Sequence, residues 1–390
     1  MRILVAHHVA RARTGGMSRL MAFIHDRIES AGHEVDYLCA DDVPASWDGW
    51  WGRRMAFPMA IRAKAIEADR AGRPYDIVNV HEPSAAPLLV GRRAHAASVV
   101  VTSHGLERRA WELAKEEGRL GREGPRWRTR ITYPPSALWP GEFALRRADH
   151  VFCLSEEDRQ VLANNYHRAA SDITRVVPGS DEIYAAAAER RDYSRATRVM
   201  FAGTWRKNKG IEDLVPAFVT LAERHADLTL HVIGAGVPPE FVRAQCPEHV
   251  RLRVHCDTPQ DDVGMAAAFA AADLFLLPSL FEGTPLTLVQ AMMSGMPIVT
   301  TATCGMKDVV AERQTGLLVP IRSPQSLVAA VEALRADPSL RARLGQSARA
   351  EARTRYTWDC AAVPVLRAYE TLMLKRTAGV ADRLPAVETL

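Results

Sequence analysis

Short apolar runs recur along the chain at 3–6, 35–39, 77–81, 99–103, 151–154 and 173–177, most of them separated by stretches long enough for a helix. Runs this short and this continuously apolar fit strands covered on both faces, so the pattern predicts parallel strands joined by crossover helices. A second series starts at 199–203 and continues through 228–233, 250–255, 274–277, 298–301 and 317–319. Between the two series stand Pro178, Gly179, Ser180 and Asp181, followed by an Ala-rich, charged stretch at 184–198, and the interdomain connection is placed there. The chain ends in three helical patterns, at 326–336, 338–354 and 358–375. Each half reads as its own doubly wound α/β sheet, and no solenoid-type repeat is present.

Composition adds bounds to this picture. With 390 residues and 47% hydrophobic content the chain can build two ordinary cores. A formal net charge of +4 gives no reason to expect a nucleic-acid partner. That excess is concentrated: residues 106–147 hold ten Arg or Lys against six Glu. The six cysteines (39, 153, 246, 256, 304 and 360) form no C-x2-C pair and are expected to be reduced core thiols. The first strand runs directly into His7 and His8 without the apolar core of a signal peptide, and no apolar run reaches bilayer length. A cytoplasmic protein is the expectation.

The candidate chemistry gathers at strand ends. Glu282 and Gly283 follow the apolar run 274–277 and precede a helix that Pro285 opens and that runs to about Ser294. In open parallel sheets the carboxyl ends of strands bind ligands, and helix starts attract anions. Gly203, Arg206, Lys207 and Lys209 follow the run 199–203 in the same manner, and Thr14, Gly15 and Gly16 follow the first strand. His81 and His104 end neighbouring strands. No G-x-G-x-x-G is present, which weakens a dinucleotide-dehydrogenase reading.

The spacing from Glu282 to Gln290, the Lys209-Gly210 pair, Thr14-Gly15-Gly16 and the run Thr315 to Pro320 resemble retaining glycosyltransferases of the GT-B fold, family 4 (glycosyl transferases group 1). The resemblance implies two Rossmann-like domains facing a cleft. The acceptor-side domain would span 1–185 with a returning helix at 358–375, the nucleotide-sugar-binding domain 196–357, and a loose tail 376–390. It implies retaining transfer from a nucleoside diphosphate sugar, the co-substrate, to a glycan, lipid-linked or small-molecule acceptor, with no cofactor. Glu282 takes the first place of the family's E-x7-E motif and would hold donor-sugar hydroxyls, with the backbone at Gly283, Thr284, Pro285 and Leu286 gripping sugar or phosphate. Gln290 takes the second place, where a glutamate accepts from ribose hydroxyls; glutamine keeps one acceptor oxygen and loses the charge.

By the same resemblance Lys209 and Arg206 would stabilise the diphosphate leaving group beside Gly203, although Thr204 stands where an Arg often follows the glycine. Gly15 and Gly16 would approach the donor phosphate, His104 the donor sugar, and His81 the acceptor. The sequence contains no D-x-D, so fixed cations are preferred to a metal ion as the electrostatic aid. No carboxylate is assignable as an opposite-face nucleophile, which favours a front-side displacement. A nucleotide-sugar epimerase on the same architecture and a non-catalytic nucleotide-sugar-binding protein stand as alternatives. Trp50 and Trp51, beside Arg53 and Arg54, and the later 126–130 stretch mix indole with arginine. That mixture suits an acceptor site, a packed loop, or peripheral contact with the inner face of a membrane.

Overall fold

The computed structural model describes residues 1–11, 15–49, 52–90, 95–189, 191–259 and 261–381. The chain forms two compact units, the first made of Met1–Leu154, Asp158–Val176 and Ala361–Leu390, the second of Ser155–Glu157 and Val177–Cys360.

Unit 1 holds β1 (Arg2–Ala6), β2 (Glu34–Leu38), β3 (Ile77–His81), β4 (Ser98–Thr102), β5 (His150–Cys153) and β6 (Ile173–Arg175), all parallel in the order β2-β1-β3-β4-β5-β6. Unit 2 holds β7 (Arg198–Ala202), β8 (Thr229–Ile233), β9 (Val254–Asp257), β10 (Leu274–Leu277), β11 (Ile298–Thr301) and β12 (Leu317–Val319), parallel in the order β12-β11-β10-β7-β8-β9. Helices cover both faces of each sheet, so β3, β5, β10 and β11 are buried at every position. This is why their sequences run apolar without alternation.

Strand order fixes where the open ends lie. In unit 1 the order reverses between β1 and β3, and in unit 2 between β7 and β10. Right-handed crossovers on either side of such a point carry their helices to opposite faces, leaving a crevice at the strands' carboxyl ends.

Three sequence expectations need correction. The strand expected at 250–255 is β9 at Val254–Asp257, because Pro247 caps a short helix over Glu248–Arg251 that takes Val250 into the core. The last helix runs from Trp358 to Ala381, past the 375 boundary, with Lys375 bonded to Asp172 at 3.0 Å and Arg376 facing Asp76 at 3.9 Å. Cys360, expected in a core, is exposed near that helix's start.

A buried polar chain ties the last helix to unit 1. Nδ1 of His25 donates to the Met21 carbonyl at 2.8 Å, which leaves Nε2 as an acceptor for the Tyr369 hydroxyl at 3.1 Å. Burial keeps this imidazole neutral, lowering its pKa to about 4. The same hydroxyl accepts from Asn79 Nδ2 at 2.7 Å, and Asn79 Oδ1 accepts from Thr102 at 2.7 Å. Four elements thus share one satisfied network. Tyr369→Phe leaves the His25 nitrogen and the Asn79 amide unpaired in the core, and is expected to cost about 2–4 kcal/mol. Urea unfolding followed by circular dichroism should show the loss, and an unchanged midpoint would contradict this account.

Candidate functional site

At the switch point of unit 2 the loop after β7 meets the loop after β10. The first loop runs from Gly203 through a single turn at Lys207–Lys209 into the helix Ile211–Arg224. Gly210 has φ +72, and a β-carbon there would overlap the Pro278 carbonyl oxygen. Only glycine allows both the left-handed turn and this approach. The loops are also joined by the Leu280 N–H, which donates to the Asn208 carbonyl at 2.8 Å. Their juxtaposition brings Lys209 Nζ to 2.5 Å from Glu282 Oε1, with both side chains mostly covered. Ser279 adds a second donor to the same carboxylate oxygen at 3.2 Å.

The other predicted residues of unit 2 surround this pair unevenly. Gly203 lies against the Lys209 stem, its N–H donating to the Ile233 carbonyl at 2.9 Å. Gly283 and Thr284 follow Glu282, Pro285 is the N-cap, and the helix is Leu286–Met293. Gly305, after β11, sits so close that a β-carbon there would overlap the Gly283 carbonyl, a fit the sequence pattern did not reveal. Arg206 is exposed and makes no ion pair among the described residues, while Lys207 pairs with Glu212 at 2.9 Å. Gln290 is buried at 3% exposure, its amide donating to the Tyr184 hydroxyl at 2.7 Å. Tyr184 in turn meets Phe269 edge-on, so Gln290 is fastened to the unit's core by one end.

Unit 1 presents a different chemistry at its own switch point. His7 and His8 follow β1, His81 ends β3, and His104 follows β4. His81 Nδ1 and His104 Nε2 are 3.1 Å apart, and the His7 ring lies 5.4 Å from that of His81. Burial removes their charge: the pKa of His104 falls to about 3, helped by His7 and His8, that of His81 lies well below its ordinary value, and that of His8 falls to about 4. His81 Nε2 is buried and has no hydrogen-bond partner among the described residues. His7 and His8 were not among the site residues read from the sequence, although a histidine pair directly after the first strand was a visible signal.

Glu82, next to His81, is also buried, and its Oε2 has no hydrogen-bond partner among the described residues. Burial first, and the nearby Glu107 charge second, push this carboxyl up to about 8. Gly15 caps the helix Gly16–Ser30 at φ +84, and both glycines are exposed. Thr14, Trp50 and Trp51 lie outside the described residues.

Profiles of two families match in tandem: "Glycosyltransferase Family 4" over residues 14–182 and "Glycosyl transferases group 1" over residues 196–337. The chain is 30% identical over 240 residues to a D-inositol 3-phosphate glycosyltransferase of Corynebacterium glutamicum, an alignment spanning 57% of each protein. It is 26% identical over 399 residues to a phosphatidyl-myo-inositol mannosyltransferase of Mycolicibacterium smegmatis, covering 95% of this chain and 94% of that one. Among solved structures, sucrose-phosphate synthase from Thermosynechococcus elongatus superposes with a TM-score of 0.76 at 19% identity, covering 96% of this chain and 99% of that one, a likeness of fold. Two Rossmann-like units of this kind are those of a GT-B glycosyltransferase. The chain belongs to glycosyltransferase family 4, in the glycosyl transferases group 1 lineage.

Because the Glu82 proton is held more tightly in the folded chain than at its ordinary 4.5, its stabilising contribution is complete below that pH and is lost as pH rises through about 8. The buried histidines act in the opposite sense, costing stability as pH falls below 6.5. Glu82→Gln should therefore remove the fall in stability that this group causes between about pH 4.5 and about pH 8, and leave the profile below pH 4.5 unchanged, as read from denaturant midpoints across pH. Parallel profiles for the two proteins would show that Glu82 is ionised when folded.

Proposed function

We propose that this enzyme transfers a sugar, with retention, from a nucleoside diphosphate to an acceptor hydroxyl, using fixed cations instead of a metal ion and no cofactor beyond the donor. The observation that carries this reading is the Lys209–Glu282 pair at the switch point of unit 2. An ammonium there suits a diphosphate oxygen, and a carboxylate suits sugar hydroxyls. Donor entry replaces their mutual contact with these two separate ones.

The remaining roles belong to the same proposal. Gly203 leaves room beside Lys209, and exposed Arg206 supplies a second cation to the leaving group. The Gly283, Thr284, Pro285 and Leu286 backbone holds the donor, and the Gln290 oxygen accepts from ribose while its amide stays on Tyr184. Gly15 and Gly16 admit phosphate, His104 orients the sugar, and His81 receives the acceptor hydroxyl through its unpartnered nitrogen. A neutral imidazole can do this without adding charge. In the transfer, the anomeric carbon loses its phosphate oxygen and gains the acceptor oxygen on the same face, and the departing phosphate takes the acceptor's proton. Family membership favours this over epimerisation or binding alone. The names of the two bacterial relatives make phosphorylated inositol, free or lipid-linked, the first acceptors to test.

Purified protein is expected to show a rise in melting temperature with one nucleoside diphosphate class, unaltered by EDTA. Lys209→Ala should lower kcat by about tenfold or more, since the lost charge acts mainly on the leaving group. Proton NMR of the product should show the donor's anomeric configuration. Inversion, a trapped glycosyl-enzyme adduct, or dependence on added divalent metal would each overturn the corresponding part of the proposal.

A further inference from the structure

The helix Trp127–Tyr133 continues through a wide turn at Pro134–Leu138 into a second helix, Trp139–Arg147. Its inner side is fixed by Tyr133, whose ring stacks on Trp111 at 5.0 Å and lies 5.5 Å beneath the Arg54 guanidinium. The opposite side is exposed among the described residues. Trp127, Ile131 and Trp139 are 67%, 65% and 60% exposed, and with exposed Pro135 they recur at every fourth residue. Such spacing lines them along one side of the helical path, over roughly 18 Å. Large side chains left this open in a row are uncommon on a surface that meets only water.

Charge is sorted around this stripe. Between Glu123 and Glu142 the sequence carries Arg126, Arg128 and Arg130 and no acidic residue. The neighbouring segment, brought alongside through Arg54, carries Arg53, Arg54, Arg62 and Lys64 between Asp48 and Glu67, again with no acidic residue. It adds two more half-exposed apolar side chains, Met55 and Met59. Two neighbouring carboxylates are engaged: Glu107 accepts from Tyr133, and Glu142 pairs with Arg108.

We propose that this face of unit 1 docks on an anionic lipid bilayer, with Trp127, Ile131 and Trp139 entering the headgroup boundary and the arginines holding lipid phosphates. Indoles at an interface, an apolar stripe and a cationic border without carboxylates are together complementary to such a surface. An apolar protein groove would not require the charge separation. The sequence pointed to Trp50 and Trp51, beside Arg53 and Arg54, and to the 126–130 stretch; the face keeps that second stretch and the arginines, extends it to Ile131, Pro135 and Trp139, and does not depend on the transferase reading.

The test is co-sedimentation of the full chain with vesicles of phosphatidylcholine, with and without phosphatidylglycerol. Binding should require the anionic lipid, weaken with salt, and fall by about tenfold or more in Trp127→Ser/Ile131→Ser/Trp139→Ser and in Arg126→Gln/Arg128→Gln/Arg130→Gln. Leu252→Ser, at a 90% exposed site of unit 2, should leave binding unchanged. All variants alter exposed positions, and matching melting temperatures would confirm that they fold. No binding to anionic vesicles, binding indifferent to both triple variants, or light scattering that shows the stripe joining two copies of the chain would each overturn the proposal.

Discussion

The handedness of crossover connections is the constraint on which both sites depend. A parallel sheet with helices on both faces must reverse its strand order once if all its crossovers are right-handed. In the second unit that reversal separates β7 from β10, and Lys209 and Glu282 project from the loops that follow these two strands. In the first it separates β1 from β3, and His7 and His81 follow or end those strands. The glycines then set how closely the loops approach. Gly210 against Pro278 and Gly305 against Gly283 are backbone contacts that leave no space for a methyl group.

The two crevices differ electrostatically in a way that suits different tasks. Unit 2 offers a compensated ion pair, in which each member can be released to a ligand of the opposite sign. Unit 1 offers buried imidazoles held neutral by desolvation, together with a carboxyl pushed up to about 8. Neutral groups of this kind orient hydroxyls through hydrogen bonds.

The sequence made visible those features that depend on local pattern. Apolar runs located eleven of the strands closely, and the glycine and cation spacing singled out Lys209 and Glu282. The twelfth, β9, was displaced because a proline-capped turn took Val250 out of the strand. What escaped was set by long-range contacts. Nothing near Gln290 in sequence announces its bond to Tyr184, 106 residues away. The His81–His104 contact and the burial that neutralises both rings likewise arise only once β3 and β4 pair. The exposed stripe on 127–139 was legible as composition but not as a face, because which side Tyr133 anchors is decided by Trp111 and Arg54.

The discontinuity of unit 1 bears on how the chain is made. Tyr369, which joins His25 and Asn79 in its core, is encoded after the whole of unit 2. At ~5–20 residues per second, the 184 residues from Val177 to Cys360 that separate the two parts of unit 1 take a ribosome on the order of 10–40 s to add. Throughout that interval the nascent first sheet lacks its last helix. Unit 2, contiguous apart from three residues already synthesised, has its full complement first. Completion of the units therefore runs against the direction of translation: the amino-terminal half, first to leave the exit tunnel, is the last to receive its full set of elements.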